Sequence, residues 1–229
     1  MPASSIRARV RAQMIDEIKT IARQHLATEG ANLSLRAVAR DLGVVSSAIY
    51  RYFASRDELL TALILDAYNA LGAAVEAADA TVDPDDLAAR WLAVSHALRD
   101  WALAVPHEYA LIYGSPVPGY HAPQDTVPAA TRSVTVLGRI LQHGAERGAF
   151  ANAPAAETLP PAVAETVAVI SANICPDVPP AVLARGLGAW ILMVGSVSFE
   201  LFGQLNNVVA DRRAFFDHQM RAQARYIGV

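Results

Sequence analysis

The stretch SLRAVARDLGVVSSAIYRYFASRDELL, residues 34–60, decides the fold. Ser34 offers a side-chain N-cap to a short helix, Leu35 to Leu42, with Leu35, Val38, Ala39 and Leu42 on one apolar face. Gly43 stops that helix. A second short helix follows over about Ser46 to Tyr52, anchored inward by Ile49 and Phe53 at i,i+4 spacing. Ser55-Arg56-Asp57-Glu58 is a capping box: the Ser55 hydroxyl accepts from the Glu58 N–H, and the Glu58 carboxylate reaches back to the Ser55 N–H. It opens a long helix through Leu59, Leu63, Ala67, Leu71 and Val75 that ends within Ala78 to Thr81. Two short helices joined by a glycine turn, set between two longer ones, describe a helix-turn-helix unit.

Upstream, Val10, Met14, Ile18, Ala22 and Leu26 recur every four residues and mark one face of a helix that ends at Glu29-Gly30. Downstream, Asp83-Pro84 starts a helix that runs to Val105, with Asp83 as cap and Pro84 at the first helical position. Further helices are expected at Pro106 to Tyr113, Thr131 to Arg147, Pro160 to Ile174, Pro180 to Phe202 and Asp211 to Ile227, with a Pro- and Gly-rich loop over Ser115 to Val127. Alternation of strand type is nearly absent. The fold class is therefore all-α. A helix-turn-helix domain, residues 1–55, precedes a helical regulatory and dimerisation domain, residues 56–229, and the helix from about residue 56 links the two.

Charge is divided along the same line. Residues 1–60 carry nine basic and six acidic side chains, a net +3, whereas the whole chain is −3, which leaves −6 for the remainder. A basic head on an acidic body suggests two tasks in one chain, although ordinary charge scatter would also give such a split.

The DNA-binding form of this unit places its second short helix in the major groove. That requires small residues at the exposed start of the helix, and Ser46, Ser47 and Ala48 supply them. Ser46 and Ser47 can donate to bases or phosphates, and the Ala48 methyl can meet a thymine methyl. Tyr50, Arg51, Tyr52 and Arg56 are candidate phosphate contacts, as are Ser34 and Arg36 at the start of the first short helix. Arg7, Arg9 and Arg11 read as a mobile basic arm or as solvated disorder. Tyr50 has a packing role as its alternative.

The residues LRAVARDLGV (35–44) and IYRYFASRDELL (49–60) resemble the DNA-binding domain of the TetR family, over about Arg7 to Val75. The resemblance implies an all-helical homodimer on a pseudo-palindromic operator in double-stranded DNA, usually a repressor released by a small molecule. Two positions depart from the pattern. Val45 stands where the family commonly has a capping Ser or Thr, and Ser46 can take over with a one-residue shift. Arg56 stands where Lys is usual. WALAVPHEY (101–109) and GSPVPGY (114–120) are similar to a TetR subgroup whose C-terminal domain is named for a Trp-His-Gly motif. Trp190 and Gly195 fit that motif, but Val194 replaces its His.

In the body, His96, Trp101, Tyr109, Tyr113, Tyr120, Trp190 and Phe199 are candidates for a pocket that takes a small hydrophobic effector; a filled core is the alternative. Asp100 and Glu200 are further possible polar contacts. Gly188, Gly195 and Ser198 permit close helix approach, and Phe215, Phe216 and Met220 supply area, so the last two long helices are the expected dimer seam.

No G-x-S-x-G elbow, phosphate-cradling glycine loop or H-E-x-x-H helix is present, so no catalytic residue, metal or cofactor is assigned. Cys175 is the single cysteine, which suits a reducing cytoplasm. Met1 to Arg11 lacks the apolar core of a secretion signal. Leu187 to Phe202 is short for a bilayer span, so no membrane partner is expected. A competing reading keeps the helical ligand- or partner-binding body but gives it a degenerate helix-turn-helix that no longer reads DNA.

Overall fold

The computed structural model describes residues 3–30, 33–150 and 158–229. Among these, every regular element is helical: α1 (Ala3–Glu29), α2 (Leu35–Asp41), α3 (Ser46–Ile49), α4 (Arg56–Asp79), α5 (Leu87–Ala104), α6 (Pro106–Tyr113), α7 (Val127–Ala130), α8 (Arg132–Glu146), α9 (Pro161–Ile174), α10 (Pro180–Leu201) and α11 (Arg212–Ile227), with a 3-10 turn at Gln124–Thr126. Two compact units result. The head takes the described residues of 1–68 together with 105–127, and the body takes those of 69–104 and 128–229.

The head core joins Ile18 and Ala22 of α1, Val38 of α2, Ile49 of α3 and Leu59 and Leu60 of α4, all withdrawn from water. Val117, from the loop after α6, is buried in the same core, and Tyr120 beside it shares a 2.9 Å hydrogen bond with the Thr61 hydroxyl. The turn between α2 and α3 follows from Gly43, at φ +75°. There the Gly43 N–H donates to the Arg40 carbonyl and the Val44 N–H to that of Ala39, which closes the end of α2. Only glycine adopts that conformation without strain.

Several boundaries differ from the sequence expectation. Arg7, Arg9 and Arg11 lie within α1 and do not form an arm; Met1 and Pro2 are outside the described residues. Ala and Arg dominate residues 3–13 and nothing there breaks a helix, so propensity carries α1 toward the N-terminus. Val10 is accordingly exposed, because the first turns of α1 run past the core. The helix α3 stops at Ile49, and residues 50–52 form a turn. Its N-cap is Val45, with no side-chain hydrogen bond, so Ser46 does not take over the cap. Ser55 accepts from the Glu58 N–H at 3.1 Å as expected, but Glu58 reaches back to the N–H of Ala54 instead of Ser55. The helix expected from Asp83-Pro84 begins at Leu87. Asp83 instead closes a turn onto the Asp85 N–H, and the Asp86 carboxylate accepts from the Ala89 N–H at 2.9 Å.

In the body, α5 packs against α8, α10 and α11, and α10 also packs against α9 and α11. Trp91 of α5 donates its indole N–H to the Met220 carbonyl at 2.9 Å. Arg99 forks onto the Glu200 carboxylate at 2.8 and 2.6 Å, deep between α5 and α10, which satisfies two charges that neither helix could bury alone. The helix α10 has 22 residues, longer than the apolar stretch read from the sequence. By length and composition α4 and α10 could each cross a membrane, a test that core helices also pass.

Candidate functional site

The exposed end of the head is built by α3 and its flanks. Ser46 and Ser47 are exposed, Ala48 is half-buried, and Ile49 turns inward as the anchor. Tyr50 and Arg51 are exposed in the turn that follows. Val45, which sequence reasoning treated only as a poor cap, is 72% exposed immediately before the two serines. Exposure of so large an apolar side chain at the tip of this helix is the signal that could have found it, since a methyl-bearing side chain there suits a thymine methyl.

The first half of α1 lies beside this end. The Arg11 guanidinium donates to the Arg51 carbonyl at 3.1 Å and sits 5.2 Å over the Tyr52 ring. Arg7 is one helical turn before Arg11 and on the same face. Arg7, Arg9, Arg36 and Arg51 are exposed and form no ion pair among the described residues. Other cations of the head are spent inside it: Lys19 and Arg23 both bind Asp66, at 3.0 and 2.6 Å, and Arg23 also meets Glu108 at 3.2 Å. Arg56 donates to the Leu33 carbonyl at 3.2 Å, so part of its fork holds the loop before α2. Ser34 caps α2 by accepting from the Ala37 N–H at 3.4 Å, and its own proton stays available to a phosphate. His25 and Asp41 pair at 2.6 Å between α1 and α2; with Arg40 adjacent, this hydrogen bond draws the Asp41 pKa below its ordinary value.

The effector candidates divide between the two units. Tyr109, Tyr113 and Tyr120 belong to the head. There Tyr109 is fully buried and its ring lies 5.2 Å from that of Tyr113, in a filled aromatic cluster with Tyr68. His96, Trp101, Trp190 and Phe199 belong to the body. His96 Nε2 is paired with Asp217 at 3.0 Å, Asp100 with Arg213 at 3.1 Å, and Glu200 with Arg99, which leaves only the buried His96 Nδ1 without a hydrogen-bond partner in this group among the described residues. The buried Arg99 partner had no distinct sequence signal. Only Trp190 of the set lines the apolar body cavity, alongside Trp91, Leu137, Gly138, Ile174 and Cys175. The cavity holds about 50 Å³ and has an open mouth. Burial raises the Cys175 thiol pKa.

The seam candidates also divide. Phe216 and Met220 are 2% and 0% exposed within a single copy, so they belong to the body core and not to an open seam. The α11 face that carries them points to α5, where Trp91 and His96 meet it. Gly188, Ile191, Gly195 and Phe199 instead follow one another at helical spacing along α10. Ile191 and Phe199 are exposed, and a Cβ added at either glycine would enter open space. Ser198 is half-buried on α10, and Phe215 is partly exposed beside Phe199 in a shallow groove. Val167 is the only buried residue of α9, although that helix is strongly apolar.

An all-helical chain with a glycine-turned helix pair and an exposed, serine-tipped second helix defines a helix-turn-helix transcriptional regulator. Residues 20–63 match the model for bacterial regulatory proteins of the tetR family, and residues 91–223 match that for the tetracyclin repressor-like C-terminal domain. The chain belongs to the TetR family, a family of transcriptional regulators and not of enzymes. It is similar to the HTH-type transcriptional regulators Rv1816 of Mycobacterium tuberculosis H37Rv and Mb1846 of Mycobacterium bovis, at 38% identity over 214 residues, 92% of this chain and 91% of each relative. The solved structure of the candidate regulatory protein SCO4313 superposes with a TM-score of 0.77 at 32% identity, over 97% of this chain and 98% of that one. A tetR-family regulatory protein from Rhodococcus RHA1 shares the fold, with a TM-score of 0.63 at 20% identity over 93% and 96% of the two chains.

Proposed function

We propose that this regulator is a dimeric, sequence-specific repressor that a small apolar effector releases from a pseudo-palindromic operator. The observation that carries the reading is the open tip of α3, with Val45, Ser46 and Ser47 exposed and with Arg7, Arg9, Arg36 and Arg51 in the same unit exposed and in no ion pair among the described residues. Ser46, Ser47, Ala48 and Val45 meet base edges; Ser34, Arg36, Tyr50, Arg51, Arg7 and Arg9 contact phosphates. Tyr52 and Arg56 act mainly by position, since one lies under Arg11 and the other holds the Leu33 carbonyl. Phosphate contacts set affinity and salt dependence, and base contacts set the sequence.

Dimerisation uses α9 and the Gly188, Ile191, Gly195 and Phe199 face of α10, with Ser198 and Phe215 at its margin. Support comes from apolar area left open on both helices. A two-fold pair carries two reading heads and so selects two half-sites. The body cavity is the effector site. The protein works in the cytoplasm, where its single thiol stays reduced.

Anisotropy titrations on selected operator and on scrambled DNA test the reading. Arg51→Ala should weaken both complexes alike and flatten the salt slope by about one counterion. Equal affinity of the wild-type protein for the two DNAs would leave the degenerate helix-turn-helix reading in its place.

A further inference from the structure

The body cavity carries a more specific message than its apolarity. It is lined by α5, α8, α9 and α10, and among the described residues no charged side chain lines it. Two indoles do. The Trp91 indole is already committed to the Met220 carbonyl. The Trp190 Nε1 is withdrawn from water and has no hydrogen-bond partner among the described residues. A buried donor left unpaired is costly, and such a group is normally satisfied. Two glycines let neighbouring side chains close on the cavity wall. A Cβ on Gly138 would stand 2.3 Å from the Ile174 methyl, and one on Gly186 would stand 2.9 Å from a Leu141 methyl.

We infer that the cavity takes a neutral, mostly apolar molecule bearing one hydrogen-bond acceptor, a carbonyl or ether oxygen, which receives the Trp190 indole N–H. A carboxylate or phosphate is rejected, because the lining offers no cation to repay its desolvation. A pure hydrocarbon fits the walls and leaves the indole unpaired. The acceptor therefore supplies both orientation and selectivity. The inference rests on the effector reading for its biological sense, but it concerns binding alone.

The probes are 2-butanone, its hydrocarbon isostere 2-methyl-1-butene, and butanoate, sized to the cavity and each titrated into the full-length protein. Tryptophan fluorescence gives affinity, and the ¹⁵N-edited indole resonance of Trp190 reports on the bond itself. The ketone should bind about tenfold more tightly than the hydrocarbon, the scale of one buried hydrogen bond. It should also move the Trp190 indole proton downfield, which the hydrocarbon should not do. In Trp190→Phe, with Trp91 as reporter, the two neutral probes should bind alike. Equal affinities in the wild-type protein, tighter binding of butanoate, or an unmoved indole resonance would each overturn the inference, and the last needs no variant to fold. If the ketone binds in this way yet leaves operator affinity unchanged, the inference holds and the effector reading alone fails. If butanoate releases DNA while neither neutral probe touches Trp190, the reverse is true.

Discussion

The placement of the dimer seam can be tested by two substitutions that a core role and a seam role answer in opposite ways. Ile191 and Phe199 are 58% and 55% exposed in one copy. Complete burial of such side chains is worth about 1.5–3 kcal/mol each, so burying the open half gives about 1 kcal/mol per residue. A two-fold interface counts each residue twice. Ile191→Asp with Phe199→Asp therefore removes about 4 kcal/mol, close to a thousandfold in dimer affinity, before any charge repulsion is added. Sedimentation equilibrium across a concentration series measures the shift, and urea unfolding of the separated protomer checks that it stays folded. The matched control is Phe216→Asp. That side chain is shut inside one copy against His96 and under Arg99. Its loss should cost the protomer about 3–5 kcal/mol of stability, with no selective effect on association. The reasoning is refuted if the α10 double variant still sediments as a dimer at the wild-type concentration, or if Phe216→Asp dissociates a protomer whose stability is unchanged.

Three more expectations follow from the same structure. Ser47→Ala should cost about 1–3 kcal/mol on the selected operator and almost nothing on scrambled DNA, as read by anisotropy; equal losses on both would make Ser47 a phosphate contact. Arg99→Met strands the buried Glu200 carboxylate and should lower stability by about 3–5 kcal/mol, whereas Arg99→Met with Glu200→Leu should recover most of it, as urea unfolding would show. Hydrogen bonds from Arg132, His143, Arg221 and His25 depress the pKa values of Glu76, Asp85, Asp217 and Asp41, with His96 and Arg40 adding to the last two. A depressed folded pKa gives stability that is fully present above the ordinary carboxylate range near about 4 and is lost as pH falls through the folded values, so a thermal-melt series should be flat from neutrality to about pH 5 and decline below it. A decline that begins near neutrality would implicate groups other than these carboxylates.

Much of the head was legible because its helices are short and each carries a local stop. Ser34, Gly43 and Ser55 are caps whose chemistry acts over three or four residues, and the four-residue period of Ile18, Ala22 and Leu26 names the packed face of α1. The reach of α1 through Arg7 and Arg11 was not legible, since arginine-rich sequence reads equally as a solvated arm until Arg11 is seen on Tyr52. Periodicity also does not say what a face packs against. Phe216 and Met220 have the spacing of a seam, yet α5 covers them, whereas the open face of α10 is punctuated by glycines and looks weaker in sequence. The aromatic candidates divide between the two units for a related reason. Nearness along the chain grouped Tyr109, Tyr113 and Tyr120 with residues of a different compact unit. No rule of spacing pairs Arg99 with Glu200, 101 positions away.

The central claim is that the α3 tip reads a duplex. Selection of bound fragments from a genomic library by the full-length protein, followed by sequencing, tests it most directly. Enrichment of one pseudo-palindromic motif, its half-site centres about 10–10.5 base pairs or a multiple apart, is the predicted result. Recovery of fragments without a shared motif, at an affinity unchanged by Ser47→Ala, would contradict it.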